Sequence, residues 1–351
     1  MVIAVDAMGG DYAPREIVKG AIEALREVDI EIAFIGRQEE ISSILKEEGD
    51  TKKLPIRICH ASQVVDMGES PSEVIRQKKD SSIRVALELV KQKKAHGVFS
   101  AGNSGATLAL AMFILGRLKG VKRPAFAGII PTPKGYTVMI DVGGVVDCRA
   151  YHLVQFAVMG HVFAKYILEI SNPRVGLLSI GEESSKGNEL IKKTYEYLEK
   201  SPLNFVGNIE GKDILWHKAD VIVCDGFVGN VALKVGEGVV ETLFTLVKKE
   251  AKESIISKIG LILAKKWLKR VFNKLDYSEY GGAPLLGING TVIIGHGRSK
   301  AKAVKNGIKM AASFVEKDIN TLLQKGLKEH ETFMPGKSWR RLGERLKEVI
   351  S

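Results

Sequence analysis

The chain has 351 residues, 45% of them hydrophobic, and a formal net charge of +11 from 52 Lys and Arg against 41 Asp and Glu. This composition excludes a disordered chain and is enough for one large α/β domain or two coupled lobes, while the positive excess favours acidic partners or an anionic surface. Cys59, Cys148 and Cys224 lie far apart, a spacing that suggests neither a disulfide framework nor a zinc site.

Met1 to Asp6 enters a strand directly, with no basic stretch followed by an apolar one, so a cytoplasmic protein without a secretory signal is expected. Val- and Ile-rich segments then alternate with helical stretches to about position 325. Strands are predicted near 2–6, 30–35, 55–59, 97–100, 125–130, 136–141, 174–180, 203–206, 220–224, 283–287 and 291–294. That rhythm predicts a three-layer α/β/α fold around a largely parallel sheet, with a hairpin where Pro131 to Gly135 joins two strands.

Six of the strands run into turns of Gly, Asn, Asp, Ser or Lys that open helices: Asp6 to Asp11, Ser100 to Gly105, Asp141 to Gly144, Ile180 to Asn188, Asp225 to Asn230 and Gly295 to Ser299. In an open parallel sheet such turns would share one edge, where helix N-termini offer N–H groups to an anion. Residues 250–276 break the rhythm with a helical stretch both apolar and basic, and residues 248–274 hold nine basic residues against two acidic ones. Its longest apolar run, Gly260 to Ala264, is too short to span a bilayer but suits an amphipathic helix at an anionic surface, or one packed on the core or a second subunit. The expected organisation is a catalytic domain over 1–328 with this arm, then a tail over 329–351.

Several chemistries lack their motifs. There is no G-x-x-x-x-G-K-S/T, no G-x-G-x-x-G after a strand, no H-E-x-x-H and no G-x-S-x-G. What remains is a set of Lys, Asn, Asp, Ser, Arg and His residues in Gly-rich turns, which suits anion binding and a nucleophile that arrives with the substrate. Lys186 stands in a Gly-flanked loop before a helix opened by Asn188, where its ammonium could meet an anion or simply be solvated beside Glu182 and Glu183. Asn230 could donate to an oxyanion or cap the next helix, and Asn103 and Ser104 pose the same choice. His296 and Arg298 occupy a tight turn after a buried strand, and Arg76, Lys78 and Lys79 form a basic helical patch or a solvated face.

Taken together, the turn at Asp6 to Asp11, Gly68 to Pro71 with Lys78 to Ser82, Ser100 to Asn103, Lys186 to Glu189, Asp225 to Phe227 with Gly229 and Asn230, and Gly281 to Ser299 resemble the PlsX family of phosphate acyltransferases over about residues 1–325. The resemblance implies transfer of a fatty acyl group from acyl carrier protein to inorganic phosphate, supplying acyl phosphate to a downstream membrane acyltransferase in phospholipid synthesis. It implies a homodimer with a fold like phosphotransacetylase and the isocitrate dehydrogenase group, without cofactor, metal or nucleic-acid partner.

Carried onto this chain, the resemblance makes Lys186 and Asn230 catalytic, and the phosphate- and substrate-binding candidates are Asp6, Gly9, Gly10, Lys78, Asn103, Ser104, Asp225, His296 and Arg298. It assigns Lys258, Leu263, Lys265, Lys266, Trp267, Lys269 and Arg270 to contact with the acidic carrier protein or the inner membrane face, where the enzyme would be peripheral. One position departs from the pattern. Asp141-Val-Gly-Gly-Val145 stands where the family would have Asp-x-Gly-Ala-Asn, so a polar side-chain contact from position 145 is absent. Rival expectations are an acetyl-coenzyme A:phosphate transferase of the same fold, a Mg²⁺- and NAD-dependent decarboxylating dehydrogenase, a carrier-protein or membrane-binding scaffold, and a ping-pong route through Cys148 or Cys224.

Overall fold

Two-residue alternation decides which layer each strand feeds. Ile3 and Val5, Phe99, Val138 and Ile140, and Ile293 enter one apolar cluster, while Ala4, Val98, Met139, and Val292 and Ile294 enter the other. The computed structural model describes residues 1–49, 51–253, 260, 262–264, 266–268, 270 and 277–330. Its strands are β1 (Val2–Asp6), β2 (Glu31–Gly36), β3 (Ile56–His60), β4 (Gly97–Ser100), β5 (Ala125–Thr132), β6 (Gly135–Ile140), β7 (Val175–Ser179), β8 (Phe205–Glu210), β9 (Val221–Val223), β10 (Ala283–Leu286) and β11 (Thr291–Ile294). They form one 11-stranded sheet in the order β3-β2-β1-β4-β11-β10-β5-β6-β9-β7-β8.

Helices cover both faces. On one lie α1 (Arg15–Leu25), α2 (Gln38–Glu47), α6 (Ala150–Tyr166), α7 (Glu189–Glu199), α9 (Ala301–Glu316) and α10 (Ile319–Glu329). The other is covered by α3 (Pro71–Gln77), α4 (Ser82–Lys91) and α5 (Ser104–Ile114), with Ala232 and Leu233 of α8 (Gly226–Glu253) packed against it. This is the expected three-layer α/β/α fold. Only β8 is displaced from its expected position. It begins at Phe205 rather than 203 and continues through Gly207, Asn208 and Glu210, a polar run that conceals a strand carrying an irregular register against β7.

The sheet is parallel in seven of its ten strand pairs, but β10 runs antiparallel to both β11 and β5, and β5 to β6. These reversals leave β6, β9, β7 and β8 opposed in direction to β1, β2, β3, β4 and β11. The six Gly-rich turns therefore do not share one edge, contrary to the sequence expectation. Those after β1, β4 and β11 open at one end of the sheet, and those after β6, β7 and β9 at the other. Sheet twist moderates the opposition, because four strand steps from β11 to β9 at about 20–25° each turn the strands by roughly 80–100°. The long helix α8 also links the sets: it starts at the turn after β9, and its Lys234 Nζ reaches His296 Nε2 in the turn after β11, at 3.3 Å.

Candidate active site

The first set of turns is largely closed on itself. Asp6 is buried and accepts from Ser100 Oγ at 2.7 Å and from Met8 N–H at 3.3 Å, and burial pushes its carboxyl above the usual range. Gly102 N–H donates to Ser100 Oγ and Asp11 N–H to the Gly297 carbonyl. A Cβ at Gly9 would stand 2.6 Å from Asp6 Oδ2, and Gly10 has φ +107° with the Gly297 carbonyl 3.1 Å from its Cβ position. Close packing of three turns thus accounts for both glycines, and the donors expected to face an anion here are mostly spent inside.

Two further binding candidates turn inward. Asn103 caps α5 by accepting from Ala106 N–H at 3.0 Å, while its amide nitrogen donates to the carbonyls of Asp66, Met67 and Glu69. Lys78 donates to the Val64 carbonyl at 2.8 Å and pairs with Glu69 at 2.9 Å, which holds the Glu69 carboxyl below its ordinary range. Both side chains pin the 64–69 loop, which takes all of the Asn103 amide and two of the three Lys78 donors. Ser104 is exposed on the first turn of α5. His296 accepts from Arg298 N–H and lies beside Lys234 and Glu237, where burial first and the Lys234 charge second depress its pKa. Arg298 is exposed and 3.6 Å from Glu241.

The second set is arranged differently. β6, β9 and β7 are consecutive and parallel, so the turns that follow them stand side by side at one end of the sheet. In the turn after β6, Asp141 is fully buried, and its carboxylate accepts from the N–H groups of Phe126, Gly143, Gly144 and Val145. Burial outweighs these donors and raises its carboxyl to about 6. A methyl at Gly144 would sit 3.1 Å from both carboxylate oxygens. Val145 contributes through its backbone, its N–H donating to Asp141 and its carbonyl accepting from Gly226 N–H at 2.8 Å. This chain's departure from the family pattern therefore falls where backbone polarity sets the loop.

Asp225, after β9, is the cap of α8: its Oδ1 accepts from Phe227 N–H at 3.0 Å and Val228 N–H at 2.9 Å. That leaves Asn230 inside the helix without a capping duty. It is exposed, it overhangs Gly143, and among the described residues its amide has no hydrogen-bond partner. After β7, Asn188 caps α7 by accepting from Ile191 N–H at 3.0 Å. Lys186 is exposed at the mouth of that helix and makes no ion pair among the described residues, since Glu182 pairs instead with Lys218 at 2.7 Å. One cation in the turn after β7 and one amide donor near the start of the helix after β9 thus follow adjacent parallel strands, and both are uncommitted among the described residues.

A family model described as fatty acid synthesis protein matches residues 1–322. A phosphate acyltransferase of Dictyoglomus turgidum is 51% identical over 93% of this chain and 98% of its own length, and one of Geobacter sp. strain M21 is 50% identical over 94% and 93%. The chain belongs to the PlsX family of phosphate acyltransferases. Membership makes it an acyltransferase enzyme. Among solved structures, a phosphotransacetylase from Streptococcus pyogenes shares the fold with a TM-score of 0.61 at 17% identity, covering 90% of this chain and 94% of its own. A branched-chain phosphotransacylase from Enterococcus faecalis V583 does so at 0.56 and 15%, covering 90% and 99%.

The same geometry bears on the rival chemistries. Asp141 spends both oxygens on backbone N–H groups, and Asp225 spends its Oδ1 on the cap of α8. Among the described residues the acidic cluster of Glu182, Glu210 and Asp213 is matched by Lys212 and Lys218. Burial pushes the Cys148 thiol up to about 12 and the Cys224 thiol well above its usual value, so both stay protonated and weakly nucleophilic at neutral pH.

Of the surface candidates, Lys258, Lys265 and Lys269 lie outside the described residues. Leu263, Lys266, Trp267 and Arg270 are helical and exposed, Leu263 at 80% and Trp267 at 58%. Among the described residues no helix is long and apolar enough to cross a membrane. Sequence reading expected a helix after the Asp225 to Asn230 turn but did not single out its apolar face. Phe227, Val231, Val235, Val239, Leu243 and Val247 recur at every fourth position on it and are all at least 38% exposed. The signal for that face was there at i, i+4 spacing.

Proposed function

We propose that the enzyme transfers a long-chain acyl group from acyl carrier protein to inorganic phosphate, forming acyl phosphate for phosphatidic acid synthesis. The observation that carries this reading is the pair of donors uncommitted among the described residues, Lys186 in the turn after β7 and Asn230 near the start of the helix after the adjacent parallel strand β9. Phosphate is already an anionic oxygen nucleophile near neutral pH, so the reaction asks for positioning rather than activation. The Lys186 ammonium, at the N-terminal end of α7, holds the phosphate. A phosphate oxygen attacks the thioester carbonyl, and Asn230 stabilises the tetrahedral oxyanion. The intermediate expels the carrier thiolate, which takes up the phosphate proton. One C–O bond has formed and one C–S bond has broken.

The test is release of free thiol from long-chain acyl carrier protein with and without inorganic phosphate. Phosphate-dependent release is expected, reduced roughly 100- to 1,000-fold by Asn230→Ala, the range for loss of one oxyanion donor. Release independent of phosphate would remove the reaction, and a preference for acetyl-coenzyme A would move it to the short-chain alternative.

The reading extends to assembly. The exposed apolar ridge of α8 suits the groove of an identical helix, which supports a homodimer. Leu263 and Trp267 beside Lys266 and Arg270 suit an anionic membrane surface or the acidic carrier protein, with the product handed to a membrane acyltransferase. A catalytic domain over 1–328 with an arm at 250–276 and a tail at 329–351 fits these roles, as does a cytoplasmic protein peripheral to the membrane. In sedimentation the full chain is expected to run as a dimer in buffer and to pellet with anionic vesicles at low salt. A monomer would remove the first assignment, and protein left in the supernatant the second.

A further inference from the structure

The turn that presents Lys186 is seated on a buried amide from the next strand. Asn208 of β8 is 2% exposed, and its Nδ2 donates to the Glu183 carbonyl at 2.8 Å. The same carbonyl accepts the Lys186 backbone N–H at 3.0 Å. One oxygen is thus held by the sheet beneath and by the backbone of Lys186, whose side chain is exposed. Leu177 pairs with Asn208 and Ser179 with Glu210, so by strand alternation Asn208 and Ser179 share a face under the start of α7. Asn208 Oδ1 and Ser179 Oγ are buried without a hydrogen-bond partner among the described residues. A Cβ on Gly187, at φ +97°, would lie 3.0 Å from that hydroxyl, so the turn sits directly on this polar floor.

We propose that Asn208 is a positioning residue for Lys186: its amide fixes the Glu183 carbonyl, which fixes the backbone of Lys186 and hence the direction of its side chain. An apolar residue of similar size would fill the space but leave the turn free to slide, since a hydrogen bond is directional and apolar contact is not. The inference rests on the reading of Lys186 as the phosphate-holding group. It uses no atom of Asn208 in contact with substrate.

A double-mutant cycle tests it, with thiol release measured at high enzyme concentration for the wild type, Asn208→Leu, Lys186→Ala and the double variant. Asn208→Leu is expected to lower kcat/KM for phosphate about 10- to 100-fold, the scale of a misplacement near 1 Å, with KM for the acyl donor unchanged. In the Lys186→Ala background the same substitution should change the rate by no more than about twofold. An equal loss in both backgrounds, or none in the wild type, overturns the positioning role while leaving Lys186 in place. Wild-type rates for Lys186→Ala would overturn the reading of Lys186 itself and this inference with it. Should Asn208→Leu fail to fold, Asn208→Ser, too short to reach Glu183, completes the same cycle.

Discussion

Lys186→Ala is expected to abolish most phosphate-dependent turnover while leaving the protein as stable as the wild type. The two halves of that result come from the same geometry. Lys186 is exposed and makes no ion pair among the described residues, and a surface side chain of that kind contributes within about ±0.5 kcal/mol to folding. Its loss removes a cation from the mouth of α7, where the helix N-terminus already favours an anion. A preorganised donor at a developing charge is commonly worth about 3–4 kcal/mol, or roughly 100- to 1,000-fold in rate. Thermal melting beside thiol release separates the effects. Lys186→Arg should recover only part of the rate, because a planar guanidinium presents its donors in a different geometry from a point ammonium. Full turnover in Lys186→Ala would remove the residue from the mechanism.

Gly229→Ala is expected to be the most damaging small substitution in α8. Inside a helix that exchange ordinarily helps by up to about 1 kcal/mol. Here the added methyl would stand 1.9 Å from the Asp141 carbonyl oxygen and 2.8 Å from Cys224 Sγ. Backbone must move, and overpacking of this kind costs about 1–3 kcal/mol, which overrides the helical gain. The element that moves is the first turn of α8, which carries Asn230, so turnover should fall about 100-fold as well if the shift approaches 1 Å. Gly238→Ala is the control in the same helix, since nothing lies within 4 Å of its Cβ position, and it should be neutral or stabilising. Denaturant midpoints and turnover of the two variants decide the matter. A Gly229→Ala protein with wild-type midpoint and rate would show that α8 is not held against the Asp141 loop.

Much of this was legible before the fold was known. Most strands were written as apolar runs rich in Val and Ile, and all eleven are present, with only β8 displaced where Gly207, Asn208 and Glu210 break the apolar pattern. Asn188 at the head of a helix was readable as its cap, because capping depends on residues three apart in the chain. Lys186 and Asn230 stood out in Gly-flanked turns by local sequence alone. Asp225 and Asn103 were as prominent, yet both oxygens accept from helix N–H groups, and Asn103 also holds the 66–69 loop across 34 to 37 residues of chain.

The sequence by itself determined the elements and the family, and it narrowed the candidates for chemistry to polar residues in Gly-rich turns, since those depend on local pattern and side-chain type. Only the tertiary structure decided which end of the sheet each turn occupies. Strand direction is set by pairings such as Leu285 with Phe126, which join distant parts of the chain and leave no trace in periodicity. It also decided which polar groups remain available. Lys78 and Asn103 are committed to backbone carbonyls far along the chain, whereas Lys186 and Asn230 are exposed and have no such partner among the described residues. A hydrogen-bonding side chain looks the same in sequence whether its partner is a ligand or a distant carbonyl, and only folding brings one of them within reach.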